Sequence, residues 1–298
     1  MKPYTPPAPN LLKGCAFIII GFFFMSTFGA FSKVATVEGS KIWVSFISYF
    51  TCLVIQTCVV WNDGFEILKT TRFRYHFGRA LFGVSASLLY MVSMQYIPLL
   101  NATLLFNTTP LFIPLLAIVF MHTKIELKTW LSILIGFIGI TIIIKPTATI
   151  LDQPGDLIGL ASGFFLAVAF IFVKLLTGIN RPNCINFYFF FLATLMQLPF
   201  LFFIGTVPPL TSIGWAICGG LGLVLMQLFL VKAYEYADAS KIGVFQYSSV
   251  VFVGIIDWLF WNQVPPLSDL LGVLLVMIAG GLILRTTQPN LNTHTAKA

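Results

Sequence analysis

Ten apolar runs, each about 20 residues long, constrain this chain more than any other feature of its sequence. They fall near residues 11–32, 41–61, 78–96, 99–121, 127–145, 156–177, 183–204, 211–233, 241–261 and 267–285. A helix rises about 1.5 Å per residue, so each run spans the roughly 30 Å hydrocarbon layer of a bilayer. The first run follows Lys2 and Lys13 but lacks an A-x-A cleavage pattern, so it reads as a helix and not as a signal peptide. The expected fold is all-α and integral to the membrane, with ten transmembrane helices. The tail over 286–298 is polar and expected to be disordered.

The net charge of +7 raises the possibility of nucleic acid, and the positions of the charges decide against it. With the N-terminus in the cytoplasm, Lys33, Lys41 and Lys145 fall outside and the other fourteen of the seventeen Lys and Arg fall inside. The connections at 97–98, 205–210 and 262–266 carry no positive charge. Such a bias orients helices with their basic loops inward. Both termini are therefore expected in the cytoplasm of a cell whose inner or plasma membrane holds the protein, with no nucleic-acid partner. Only 9% of residues are charged, against about 25% in ordinary soluble domains. Cys15, Cys52, Cys58, Cys184 and Cys218 read as small buried hydrophobes, and His76, His122 and His294 fall in loops or the tail. The sequence offers no catalytic, cofactor or metal motif.

A shift of 140 residues lays QYIPLLNATLLFNTTPLF at 95–112 over EYADASKIGVFQYSSVVF at 235–252. Ser132 and Gly139 then meet Gly272 and Ala279. Each half holds five helices, and because five is odd the second half enters the membrane upside down. The expected units are a first repeat over 1–148 and a second over 149–285. Inverted repeats of this kind are a common way to build transporters with a site between the halves.

Arg79, the run ALFGVSASLLYMVSMQYIPLLNATLL, then PLFIPLLAIVF, and Trp130 before LSILIGFIGI resemble the EamA-type repeat of the drug/metabolite transporter superfamily. The resemblance covers nearly the whole chain, twice. It implies a ten-helix transporter whose central cavity is lined by helices 1, 3, 4, 6, 8 and 9. Where such repeats often carry a Glu after the fourth helix of each half, this chain has Thr123 and Gln263.

On the fourth segment Thr103, Asn107, Pro110 and Pro114 share one helical face, which the 140-residue shift maps onto Gly243, Tyr247, Val250 and Gly254. The prolines are expected to bend this helix around a cavity, with Asn107 and Tyr247 facing each other across it. The third segment aligns Arg79, Gly83, Ser87 and Tyr90, with Ser93 beside them. Gln227 and Gln246 add amides that need a partner in hydrocarbon, from another helix or from a ligand, whereas Gln56 and Gln197 read as structural. Gly155, Gly159, Gly163 and Ala167, four apart, read as a close helix-packing stripe. Lys33 and Lys174 end the first and sixth helices and are expected to snorkel without a chemical role. Asp257 is the one acid well inside an expected span, suited to titrating a proton or contacting a cationic solute.

The substrate-binding set expected from the sequence is therefore Tyr90, Ser93, Asn107, Gln227, Gln246, Tyr247 and Asp257. The expected activity is alternating-access transport of a small polar or amphipathic organic metabolite, amino-acid-like or related. The expected protein is a monomer in the lipid bilayer, with protons as a possible coupling ion and no cofactor. A non-transporting scaffold or an intramembrane enzyme is the alternative. An enzyme would need convergent His, Asp, Glu or Cys inside the membrane, and a scaffold leaves the paired polar faces without a purpose.

Overall fold

The computed structural model describes residue 4 and residues 6–93, 95–97, 99–144, 153–202, 207–262 and 267–285. Its helices are α1 (Leu11–Ala35), α2 (Lys41–Asp63), α3 (Phe73–Ser93), α4 (Leu99–Phe106), α5 (Thr109–Met121) and α6 (Leu127–Ile144), then α7 (Pro154–Thr177), α8 (Pro182–Leu201), α9 (Leu210–Tyr236), α10 (Ala239–Ile242), α11 (Ser248–Trp261) and α12 (Leu267–Arg285). Short 3₁₀ turns lie at Phe65–Leu68 and Gly243–Tyr247, and no strand occurs among the described residues. All ten expected spans are present as helix, the fourth as α4 with α5 and the ninth as α10, the 3₁₀ turn and α11. The protein is an all-α membrane protein. Its outer surface is accordingly apolar, with Ile138, Leu198, Leu259 and Met277 exposed where lipid would lie.

The third span starts at Phe73, before the expected 78, and takes His76 into the helix. The sequence reading had put His76 in a loop; it is 1% exposed, packed on Tyr188. The tail at 286–298 with His294 and Lys297, and also Lys2, Lys145 and Gln263, lie outside the described residues.

At the prolines the fourth span breaks into two helices. Pro110 sits in the first turn of the new helix α5, where a missing N–H costs nothing. In a continuous helix the Phe106 carbonyl would accept from residue 110, which here has no proton to give. The Thr109 hydroxyl donates to that carbonyl at 2.8 Å, and its oxygen also lies 3.1 Å from the Gly163 carbonyl of α7. Thr108 donates to the Leu105 carbonyl in the same way. Only Pro114 is interior to a helix here. The ninth span breaks at the repeat-related place, with α11 starting at Ser248, and the Ser26 hydroxyl of α1 reaches the Ser249 carbonyl at 3.1 Å. Both broken spans end alike, on left-handed residues His122 (φ 52°) and Asn262 (φ 53°), again 140 apart.

The packing carries the same two-fold relation. α1 packs along α9, and its counterpart α7 along α3. α1 also meets α11, as α7 meets α4 and α5. α2 pairs with its own counterpart α8, and α6 with α12. At the α6–α12 crossing the backbones of Gly139 and Gly272 meet so closely that an added Cβ on Gly272 would lie 2.5 Å from the Gly139 carbonyl. The small-residue stripe of α7 is seated on the α3–α4 connection and the break: a Cβ on Gly155 would meet Tyr96, and one on Gly163 the backbone of Leu105.

Candidate substrate site

Between these packed groups lies a cavity of about 330 Å³. A pocket of this size falls at the lower end of those that hold small organic ligands. α1, α2, α3, α7, α8 and α9 build it, and the fourth span adds Phe106 alone. Its walls are mostly aromatic and aliphatic, with Phe22, Met25, Phe28, Phe170, Phe189, Leu223 and Met226. It runs from the exposed Lys41 at the start of α2 inward to Arg79.

Arg79 stands two turns into α3 and is 2% exposed. Its guanidinium donates to the Ile185 carbonyl at 2.9 Å and to Gln227 Oε1 at 2.8 Å, with the Phe189 ring 4.4 Å away. The charge bias counts Arg79 with the cytoplasmic side, but its side chain is buried away from both aqueous faces. Arg79 stands on the stripe aligned in the sequence, and Gly83, Ser87 and Tyr90 line the cavity with it. The Tyr90 hydroxyl lies 2.9 Å from Thr103 Oγ1, and its ring 4.8 Å from that of Phe106.

Of the residues expected at the site, the cavity brings together Tyr90 and Gln227. The others lie elsewhere for identifiable reasons. Ser93 is fully buried and spends its hydroxyl on the Tyr90 carbonyl. Asn107 sits at the helix break and turns its amide back to the Thr103 carbonyl at 2.9 Å. Tyr247 is fully buried, its ring so close over Gly136 of α6 that a Cβ there would come within 2.6 Å. Gln246 is 4% exposed beside it, away from the cavity lining. Asn107 and Tyr247 therefore do not face each other across the cavity. The ninth span contributes no lining residue; its 3₁₀ turn packs against α6, α12 and α1, and α11 packs along α1.

Asp257 does not stand as a lone acid. Its carboxylate accepts from Lys33 at 2.8 Å, and the same ammonium lies 4.2 Å from the Trp261 ring centre. Lys33 thus ties the end of α1 to α11, which replaces the snorkelling expected of it. Lys174 is also engaged: it donates to the carbonyls of Tyr234 and Ala237, both at 2.8 Å, at the C-terminal end of α9. This end of the molecule is further closed by Asn10 N–H on the Tyr236 carbonyl and by Tyr4 on Glu235.

The sequence profile of the EamA-like transporter family matches this chain twice, over residues 12–145 and 153–285. The chain belongs to the EamA-like transporter family. Among other proteins, this EamA-like chain is 29% identical over 210 residues to the pseudopaline exporter CntI of Pseudomonas aeruginosa, covering 70% of this chain and 74% of that one. It is 26% identical to the riboflavin transporter of Vibrio cholerae, over 80% and 81% of the two chains. It is 24% identical to an S-adenosylmethionine uptake transporter of Rickettsia conorii, over 89% and 90%. A crystal structure of 16% identity superposes with a TM-score of 0.79 over 94% of this chain and all of the other, which shows the shared fold. With relatives named as transporters and exporters, this EamA-like protein is a transporter of small metabolites and not an enzyme.

Proposed function

We propose that the cavity is the transport site, that it takes an amphipathic organic metabolite, and that Arg79, Tyr90 and Gln227 hold its polar end. The observation that carries this reading is the asymmetry of the cavity. It reaches the surface at Lys41, beside the α1–α2 connection, while the Lys174 and Tyr4 contacts close the opposite end. With both termini cytoplasmic, this conformation is open to the outside. The repeats, placed at 1–148 and 149–285, are interleaved, so the bodies that rock are not the sequence halves. They are α1 with α9 and α11 on one side, and α7 with α3, α4 and α5 on the other, exchanged by the two-fold relation. Relatives named for riboflavin, S-adenosylmethionine and pseudopaline support an organic solute. We take the protein to work as a monomer.

Two measurements test the reading. Purified protein should gain thermal stability from one or more members of a metabolite panel, and proteoliposomes should exchange those same solutes in counterflow. A panel that never shifts the unfolding temperature, with no counterflow, would sink it. A periplasm-active phosphatase fused after residue 298 should be silent, and one inserted at 205–210 active; the reverse pattern overturns the orientation.

Asp257, paired with Lys33 and outside the cavity lining, is taken to couple transport to protons. Asp257→Asn should slow net flux severalfold while sparing one-for-one exchange, if protons are coupled there. Stability should move little, because a pair this exposed contributes about 0.2–1 kcal/mol. Unaltered affinity, rate and pH profile would remove Asp257 from the mechanism.

A further inference from the structure

We infer that the cavity selects an organic anion: Arg79, oriented by Gln227, forms a subsite for a carboxylate or phosphate carried by the solute. This rests on the reading of the cavity as the transport site and names the class of solute that the site takes.

A guanidinium withdrawn from water normally sits against a carboxylate, because an uncompensated buried charge is costly. Arg79 has no such partner among the described residues. The ion pairs among the described residues are Lys33–Asp257 and Lys174–Asp238, and both lie away from it. Its two acceptors, the Ile185 carbonyl and Gln227 Oε1, are neutral dipoles. Arginine has five N–H donors and keeps its charge inside proteins. Two donors are engaged, and the remainder belong to a side chain that lines a cavity.

The lining extends the argument. Its charged residues are Lys41 at the mouth and Arg79 at depth, with no Asp or Glu between them. A cleft lined by one sign of charge, with low-dielectric walls, concentrates ions of the opposite sign. The planar fork of Arg79 matches an oxyanion with two oxygens, while the Phe28, Phe106 and Phe170 walls suit an apolar body. A cationic or neutral solute would leave Arg79 uncompensated in the occupied state.

The test uses Ser87→Cys in the full-length protein with its native cysteines kept, since none of those lines the cavity. Residue 87 does line it, eight residues or about 12 Å along α3 from Arg79. Labelling at residue 87 is followed by peptide mass spectrometry, with anionic sulfonatoethyl and cationic trimethylammonioethyl methanethiosulfonate. Corrected for intrinsic reactivity, the anionic reagent should react about tenfold faster than the cationic one. Arg79→Gln should bring the ratio close to one, and Arg79→Lys should preserve it. Because Arg79→Gln removes buried hydrogen bonds and could unfold the protein, Gln227→Glu provides a second route. It is nearly isosteric and places the missing countercharge beside the guanidinium, so it too should abolish the preference. Millimolar benzoate should slow labelling where benzamide does not. Labelling without a charge preference, a ratio that neither variant changes, or equal protection by benzamide overturns the anion subsite and leaves the transport site standing. No labelling by either reagent overturns the transport-site reading itself.

Discussion

Gly163→Val should lower the unfolding temperature by about 5–10 °C, read by intrinsic fluorescence in detergent. A Cβ at Gly163 would lie 2.7 Å from the Leu105 carbonyl and 3.1 Å from the Phe106 carbonyl, both backbone atoms that cannot rotate away. α7 would have to withdraw from the break in the fourth span and lose the Thr109–Gly163 hydrogen bond. Overpacking of this kind costs about 1–3 kcal/mol, and a lost hydrogen bond about 1 kcal/mol more. For a chain of this size each kcal/mol moves the midpoint by roughly 2–4 °C. Gly214→Val is the control, since no atom lies within 4 Å of its added Cβ, and it should shift the midpoint by less than about 2 °C. Equal shifts in the two variants would show that the close approach of α7 to the break does not matter.

Lys174→Met should open the closed end of the molecule. The variant keeps an unbranched apolar stem and removes two charge-assisted hydrogen bonds to the Tyr234 and Ala237 carbonyls, where the α9 dipole also favours a cation. Hydrogen bonds to charged groups contribute about 1.5–3 kcal/mol each. Losing about 3 kcal/mol in this conformation alone shifts the equilibrium roughly a hundredfold toward the state with that end open. Hydrogen–deuterium exchange over residues 232–242 should accelerate accordingly. Protection equal to that of the unmodified protein would mean that Lys174 holds nothing shut.

The spans were legible because crossing a bilayer demands length and apolarity, and both are local properties of the chain. The repeat was legible in loop order and in the 140-residue register, and it survives in the caps at His122 and Asn262, where no residue identity would have revealed it. The helix break at Thr108–Pro110 could have been read more closely. Two threonines before a proline at the first turn form a helix start, and the bend expected from the prolines missed it. Tyr90 and Gln227, singled out as polar groups on apolar stripes that ask for a partner, line the cavity. Tyr247 and Asn107 were misplaced because equivalence under the repeat says that two residues have related surroundings, not that they face one space. Arg79 was left out of the expected site because a charge one residue inside a span expected from 78 reads as belonging to the membrane edge, whereas the helix begins more than a turn earlier, at Phe73.

The interleaving of the repeats also sets the order in which the protein can be made. α1 leaves the ribosome first, yet its long partner α9 begins at Leu210. At synthesis rates of about 5–20 residues per second, α1 waits roughly 10–40 seconds in the membrane before that partner exists. α2 waits for α8 and α9, and α6 for α12. A ribosome stalled after the first repeat would therefore leave inserted helices with exposed packing faces and polar groups without partners, a substrate for membrane proteases. Assembly is postponed until the last third of the chain arrives.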